Sequence, residues 1–211
     1  MPKPDYTMWI PDDVLPEDLF SYCGSGTFSI QKFLESKKSF LSNYPIETPE
    51  DATRPVTPYN VWLDHICQVA DISPKILLVS LQKEQSLISK KAPPSESILK
   101  RCLGFGMTDS GDMTQYYGFA QQHIFAADWF KRKHELAIKP IPVDNKLITL
   151  TPLTKFTSVL YTYTPWTGSP DSTYYSKWGT HGVYLMWKLW RQYWPEDLSA
   201  FVHIDPTTFP A

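Results

Sequence analysis

A glutamate on the apolar face of a predicted helix is the strongest catalytic candidate in this sequence. Residues 73–88 read S-P-K-I-L-L-V-S-L-Q-K-E-Q-S-L-I, in which Ser73 can cap a helix and Pro74 suits its first turn. At about 100° per residue, Glu84 falls inside an apolar stripe on this helix. The stripe consists of Leu77, Leu81 and Ile88. A carboxyl group in that position could act as a general acid.

The chemistry of such a position follows from its surroundings. No Lys or Arg stands three or four residues from Glu84, so the helix itself supplies no counter-charge at that spacing. Loss of hydration favours the protonated form of a carboxyl group, which is the form that donates a proton. Two structural alternatives remain: an ion pair with a distant Arg, or a slightly rotated helix that leaves Glu84 half exposed.

Composition limits the classes of function. The chain has 211 residues, 42% of them hydrophobic and 15% aromatic, which suits one domain with an appended arm. Eight Trp and twelve Tyr suggest a surface that stacks on ring-shaped ligands, although large aromatic cores explain the same numbers. A net charge of −2 without a basic run argues against a nucleic-acid partner. Cys23, Cys67 and Cys102 have no metal-ligand spacing and predict no disulfide framework.

Targeting signals are not recognisable in the sequence. The first residues, M-P-K-P-D-Y-T-M-W-I-P-D-D, lack a basic segment followed by an apolar run, so we expect no signal peptide. No apolar run is long enough to span a bilayer, so no membrane span is expected either. A protein of this kind that acts outside the cytoplasm needs another route of export or a leader that has been removed.

The order of elements predicts a mainly α fold. Residues 1–28 are proline-rich and acidic and predict an irregular N-terminal arm before a domain at 29–211. A small β-hairpin is expected around Asp144–Asn145. The last predicted helix is apolar almost all round and should be central to the packing. The predicted helices, besides 73–88, cover 29–44 (as one or two pieces), 60–70, 95–103, 121–135, 153–163 and 181–194.

For the other polar residues, a purely structural role is the alternative to a functional one. Asp109 and Asp112 lie in a glycine-rich loop that lacks phosphate-loop and calcium-loop spacing, so a solvated loop is favoured and no metal or other cofactor is expected. For Gln121 and Gln122, the structural interpretation is that they cap or solvate the start of a helix. His123, His134 and His181 have no zinc-site spacing.

Several motifs in one order resemble the lysozyme-like superfamily, in the branch of goose-type lysozymes and soluble lytic transglycosylases. The motifs are S-I-Q-x-F-L, L-x-x-L-Q-K-E-Q-S-L, Y-Y-G-F and Y-x-Y-T-P, and together they cover roughly residues 29–194. The resemblance implies a lysozyme-like domain in which Glu84 is the catalytic acid and base. It implies that Tyr161 or Tyr163 positions the carboxyl group. The substrate-binding candidates are Ser86, Gln115, Tyr116, Tyr117, Gly118, Phe119, Gln121, Tyr161 and Tyr163.

This sequence departs from the family pattern at two places. The Glu–Ser dipeptide of transglycosylases is Glu84–Gln85 here, with Ser86 one position later. Relatives often carry a cysteine pair around the polar loop, where this chain has Met107 and Met113, so we expect a looser loop.

The resemblance implies cleavage of the β-1,4 bond between N-acetylmuramic acid and N-acetylglucosamine in peptidoglycan, by the single-glutamate mechanism of a lytic transglycosylase. It places the expected action at the cell wall, in the periplasm or outside the cell, as a bacteriolytic, antimicrobial activity. Peptidoglycan strands are the expected partner, and an immunity or inhibitor protein is undetermined. Three alternatives stay open: a muramidase that uses Asp109 or Asp112 as a second carboxylate, a chitinase with the same Glu84, and a non-catalytic glycan-binding module.

Overall fold

The chain is mainly helical, as the sequence predicts. The computed structural model describes residues 8–22, 28–47, 56–107, 111–168 and 181–199. Within them, eight α-helices are accompanied by two small antiparallel β-hairpins. No helix in these ranges is long and apolar enough to cross a membrane.

Two compact units make up the chain, where the sequence predicted one domain behind an arm. One unit comprises Met1–Phe20 and Lys133–Ala211, and the other comprises Ser21–Arg132. We call them the outer-segment unit and the middle unit. Val14, Leu15 and Phe20 of the predicted arm are buried in the core of the outer-segment unit. These residues therefore form part of a folded unit, and a 3₁₀ turn at Glu17–Leu19 lies between Leu15 and Phe20.

The middle unit carries the predicted catalytic helix and the aromatic segment. A pair of two-residue strands joins Pro45 to Pro58 and Ile46 to Thr57 before the second helix. The elements of this unit are α1 (Ile30–Ser36), β1 (Pro45–Ile46), β2 (Thr57–Pro58), α2 (Tyr59–Ala70), α3 (Pro74–Gln85), α4 (Glu96–Leu99) and α5 (Phe119–His134, here up to Arg132).

Helix α3 is the most buried element of the middle unit. Its apolar side chains from Ile76 to Leu81 have no exposed surface, and Ser80 between them is buried as well. The helix is therefore enclosed on all sides over its first two turns and becomes partly exposed in its last turn, at residues 82–85. Ser73 is its N-cap residue by position, but the Ser73 hydroxyl makes no capping hydrogen bond, so that expectation was wrong.

The end of α3 comes earlier than predicted. Ser86 adopts a left-handed conformation with φ +55°, and its N–H donates to the carbonyl groups of Leu81 and Gln82. A left-handed residue ends a helix because the next residues can no longer continue the ladder of hydrogen bonds. Leu87–Ser89 then forms a separate 3₁₀ turn whose Leu87 and Ile88 are buried. The residues of the predicted apolar stripe are buried, but they belong to two elements, α3 and the 3₁₀ turn that follows it.

The outer-segment unit is built around α7, as its apolar sequence predicts. Its buried face includes Met186, Trp187 and Trp190, and the Trp190 ring meets Phe156 of α6 edge to face at 5.8 Å. The predicted hairpin is present, with turn residues Asp144–Lys146 at positive φ. The elements of this unit are β3 (Ile141–Val143), β4 (Ile148–Leu150), α6 (Lys155–Tyr163), α7 (Gly182–Tyr193) and α8 (Pro195–Ser199).

A buried histidine supports the start of α5 in the middle unit. His123 is fully buried; its Nδ1 lies 2.7 Å from the Phe119 carbonyl oxygen and its Nε2 lies 3.0 Å from the Tyr59 hydroxyl. A carbonyl oxygen can only accept, so Nδ1 carries the proton and Tyr59 donates to Nε2. Both nitrogens of the neutral ring are therefore satisfied. Burial lowers the pKa of His123 from 6.5 to about 4.

Acid should therefore destabilise the middle unit. The unfolded chain binds a proton at this histidine below pH 6.5, while the folded chain stays neutral down to about pH 4. Neutral His123 therefore makes its full contribution to the free energy of unfolding above pH 6.5. This contribution decreases as the pH falls, and about 3 kcal/mol of it is lost at pH 4. Urea unfolding at pH 7 and pH 4 measures it.

His123→Gln supplies the comparison, because an amide can accept from Tyr59 and donate to Phe119 without titrating. Its unfolding free energy should change less with pH than that of the wild type, whereas exposed His65→Gln should keep the wild-type dependence. Identical pH profiles for wild type and His123→Gln would contradict the assignment.

Candidate active site

The carboxyl group of Glu84 lies in the last turn of α3, where the buried helix reaches the surface of the middle unit. Its side chain is 26% exposed, and its Oε1 lies 2.6 Å from Nζ of Lys83, whose side chain is 11% exposed. Glu84 is therefore ion-paired with its neighbour, and the prediction of a carboxylate without a nearby counter-charge was wrong. The alternative of a half-exposed position describes it better.

Helical spacing did not reveal this pair. Neighbouring residues on a helix point about 100° apart, and pairing rules consider positions three or four residues apart. A lysine has a four-carbon stem with rotatable bonds, so its ammonium can fold back along the helix surface. Lys83 does so because residues 82–85 form the partly exposed end of an otherwise buried helix.

A glycine leaves room beside the other oxygen of the carboxyl group. Gly104 has φ +76°, and a β-carbon at this position would lie 3.6 Å from Oε2 of Glu84. Glycine adopts this backbone region without the steric cost that other residues incur. Gly104 thus adds no side chain next to this oxygen.

One glutamine holds the loop that carries Gly104. Gln122 of α5 is fully buried, and its Oε1 accepts from the N–H groups of Leu103 and Phe105, both at 3.1 Å. Its Nε2 donates to the carbonyl oxygens of Phe105 at 2.8 Å and Tyr116 at 2.7 Å. The loop beside Glu84 and the segment before α5 are therefore fixed by a single side chain. The sequence assigned Gln122 nothing beyond a helix start, and no spacing rule singles it out.

A surface groove of about 580 Å³ runs along the aromatic segment of the middle unit. Five predicted substrate-binding residues line it, namely Gln115, Tyr117, Gly118, Phe119 and Gln121. Its other lining residues are Tyr44, Pro45, Ile46, Glu47 and Ala120. Glu84 is not among them. The Phe119 ring meets Tyr44 at 5.2 Å and Tyr59 at 5.6 Å, so one aromatic cluster forms both core and groove wall.

Asp112 is held in place, contrary to the expectation of a loosely positioned carboxylate. Its Oδ2 lies 2.5 Å from Nη2 of Arg101 and accepts a hydrogen bond of 2.5 Å from the Tyr117 hydroxyl. Arg101 also donates to that hydroxyl at 2.9 Å. Tyr117 thereby connects the groove to a fixed carboxylate. Asp109, the other candidate, lies outside the described residues.

The ends of the polar loop are joined without a disulfide. The N–H of Met113 donates to the Gly106 carbonyl at 2.8 Å, and the Tyr116 ring packs against the open side of Gly106. The described thiols, Cys67 and Cys102, are free and buried, and burial raises their pKa values. No group of three His, Cys, Asp or Glu residues within the described ranges could hold a metal ion.

The remaining candidates are not among the residues that line the groove. Ser86 is the exposed left-handed residue after α3, and Tyr116 packs its ring on Phe125 at 4.6 Å. Tyr161 and Tyr163 lie on α6 of the outer-segment unit. Tyr161 is fully buried, with a hydroxyl that has no hydrogen-bond partner among the described residues, and burial raises its pKa. The proposed contact of either tyrosine with Glu84 stays a prediction.

Comparisons with protein-family models, curated proteins and solved structures give no match to this chain. The lysozyme-like assignment therefore rests on the order of the motifs and on the chemistry of the residues described above.

Replacing Gln122 should destabilise the fold. In Gln122→Leu, two backbone N–H groups and two carbonyl groups lose their hydrogen-bond partner next to a buried side chain. We expect the free energy of unfolding to fall by about 2–4 kcal/mol. The free energy of unfolding in urea measures this cost.

The neighbouring glutamine is the matched control. Gln121 lines the groove, is half-buried, and makes no side-chain hydrogen bond within the described part of the chain. Gln121→Leu should change the free energy of unfolding by less than about 0.5 kcal/mol. Equal costs for the two variants would show that Gln122 does not hold the loop.

Proposed function

We propose that the protein cleaves peptidoglycan glycan strands with Glu84 as the reacting carboxyl group. The observation that carries the proposal is the arrangement at the end of α3. Lys83 binds Oε1 of Glu84, and Oε2 lies on the side of Gly104, a residue that has no side chain. We infer that Oε2 is the oxygen that exchanges a proton with the ligand. The order of the lysozyme-like motifs supplies the choice of substrate.

The reaction requires one group to act twice. Protonated Glu84 gives its proton to the glycosidic oxygen as the bond from the muramoyl C1 breaks. The Lys83 ammonium then stabilises the carboxylate that remains. This carboxylate takes the proton of the muramoyl 6-hydroxyl, whose oxygen bonds to C1 and closes a 1,6-anhydro ring. Atoms balance without water, and Glu84 ends protonated as it began.

The aromatic groove is the proposed binding surface for the glycan. Tyr117 and Phe119 offer ring faces on which sugars stack, and Gln115 and Gln121 offer amide groups to hydroxyl and acetamido groups. Glu84 is absent from the lining of this groove, which favours one second candidate, a glycan-binding module without catalysis. Chitin is the alternative substrate of the same groove.

Glu84→Gln should retain the fold and reduce the rate of cell-wall lysis by about 10²–10⁴, the usual contribution of a general acid. Turbidity of a cell-wall suspension measures the rate, and a sedimentation assay measures glycan binding. Glu96→Gln, an exposed glutamate on α4, is the control and should lyse walls at the wild-type rate. Equal lysis by wild type and Glu84→Gln would exclude the catalytic role. Wild-type protein that binds walls without lysing them would identify a binding module.

The released fragments should end in 1,6-anhydromuramic acid. Hydrolysis needs a second carboxylate at about 5–5.5 Å for retention or about 6.5–9.5 Å for inversion. Asp112 is bound at Oδ2 by both Arg101 and Tyr117, and we infer that it holds Tyr117 in place and does not activate water. Mass spectrometry distinguishes the products, because the anhydro fragment is lighter by one water.

Asp112→Asn tests the choice of reaction. The single-glutamate mechanism predicts anhydro products from both wild type and Asp112→Asn, with any loss of rate arising from a shifted Tyr117. Reducing-end products from the wild type that disappear in Asp112→Asn would show a hydrolase that uses this aspartate.

A further inference from the structure

Lys100 lies beside the aromatic groove, and no carboxylate in the described part of the chain forms an ion pair with it. Lys100 follows α4, and its carbonyl oxygen accepts from the N–H of Gly118 at 3.1 Å. Its Nζ lies 4.7 Å from the centre of the Tyr117 ring. Gly118 and Tyr117 both line the groove. Lys100 is not itself a lining residue, but its ammonium lies against the ring of one.

The two cations beside Tyr117 differ in their charge balance. Arg101, with its Cζ 5.2 Å from the same ring, is neutralised by Asp112. Lys100 makes no ion pair within the described part of the chain, and its one polar contact beyond the backbone is the Tyr117 ring. The contact with the ring restricts the position of the ammonium and leaves its hydrogen-bond donors available for a ligand.

A carboxylate also lines the groove. Glu47 is exposed, lines the same groove, and raises the pKa of Tyr44 together with the larger effect of burial. An anionic group of a ligand is therefore attracted at Lys100 and repelled at Glu47. A neutral ligand experiences neither effect.

We propose that Lys100 is an anion-recognition residue that binds a carboxylate of the glycan ligand at the Tyr117 end of the groove. This rests on the proposed function and narrows its substrate class to acidic, muramoyl-containing glycans, in preference to neutral chitin. The carboxylate comes from the lactyl ether of muramic acid or from a peptide attached to it.

The experiment compares saccharides of equal length by calorimetry, in full-length protein carrying Glu84→Gln so that the ligand is not consumed. The probes are chitotetraose, a peptide-free tetrasaccharide with two muramoyl residues, and its peptide-bearing form. At low salt, Lys100→Gln should weaken binding of a muramoyl probe about fivefold, the upper range for one exposed ion pair. The loss should shrink at high salt, and chitotetraose binding should not change.

Two control variants separate a local contact from net charge. Glu47→Gln removes the repelling carboxylate and should strengthen muramoyl binding. Lys32→Gln, at an exposed position on α1, changes the net charge by the same amount as Lys100→Gln and should not change muramoyl binding. A loss seen with both muramoyl probes identifies the lactyl carboxylate, and a loss seen with the peptide-bearing probe alone identifies a peptide carboxylate.

Failure of the inference is distinct from failure of the proposed function. If the probes bind but Lys100→Gln leaves muramoyl binding unchanged, or weakens chitotetraose equally, Lys100 does not recognise a carboxylate and the proposed function stands. If no probe binds to the groove, the proposed function and the inference are both overturned. Circular dichroism melting of Lys100→Gln shows whether its fold is retained, as expected for a half-buried side chain.

Discussion

The hydrogen bonds of one buried amide connect the parts of the candidate site. Gln122 joins the loop at Leu103–Phe105 to Tyr116, and thus joins the surroundings of Glu84 to the start of the aromatic groove. A buried polar side chain is costly unless its donors and acceptors are all used, and here each amide atom makes two bonds. The same bonds that satisfy Gln122 therefore fix the position of Gly104 against the carboxyl group.

Apolar periodicity predicted the elements of this chain well, because burial enforces it. The stripe of α3, the apolar α7 and the hairpin at Asp144–Asn145 were all recognisable from spacing and turn chemistry. Boundaries were less certain, since the left-handed Ser86 ends α3 although serine has no special preference for that conformation. The division into two units was not predicted, because a chain that leaves a unit and returns to it has no local signature.

The fold brings several candidate residues together in one groove, and their role in binding stays a prediction; their contacts were missed from the sequence. Tyr117, Phe119 and their neighbours line a groove as expected. The partners of the carboxylates were missed, since Lys83 and Arg101 reach Glu84 and Asp112 through long side chains whose direction no sequence spacing determines. Side-chain pairing of this kind depends on rotamers and on burial, both of which follow from the tertiary fold.

The shape of the groove and the protonation of His123 are linked through the aromatic cluster beneath the groove. Phe119 lines the groove, its carbonyl oxygen accepts from Nδ1 of His123, and its ring lies 4.5 Å from the imidazole. In the neutral ring, Nε2 accepts a hydrogen bond from the Tyr59 hydroxyl. In the protonated ring, Nε2 would be a donor, so this bond would be lost as it stands, and a charge would be buried. Tyr59 also packs on Phe119, so both partners of the histidine support the same groove wall. Ligand binding and the stability of the middle unit should consequently share one acid limit, set by a residue that does not touch the ligand.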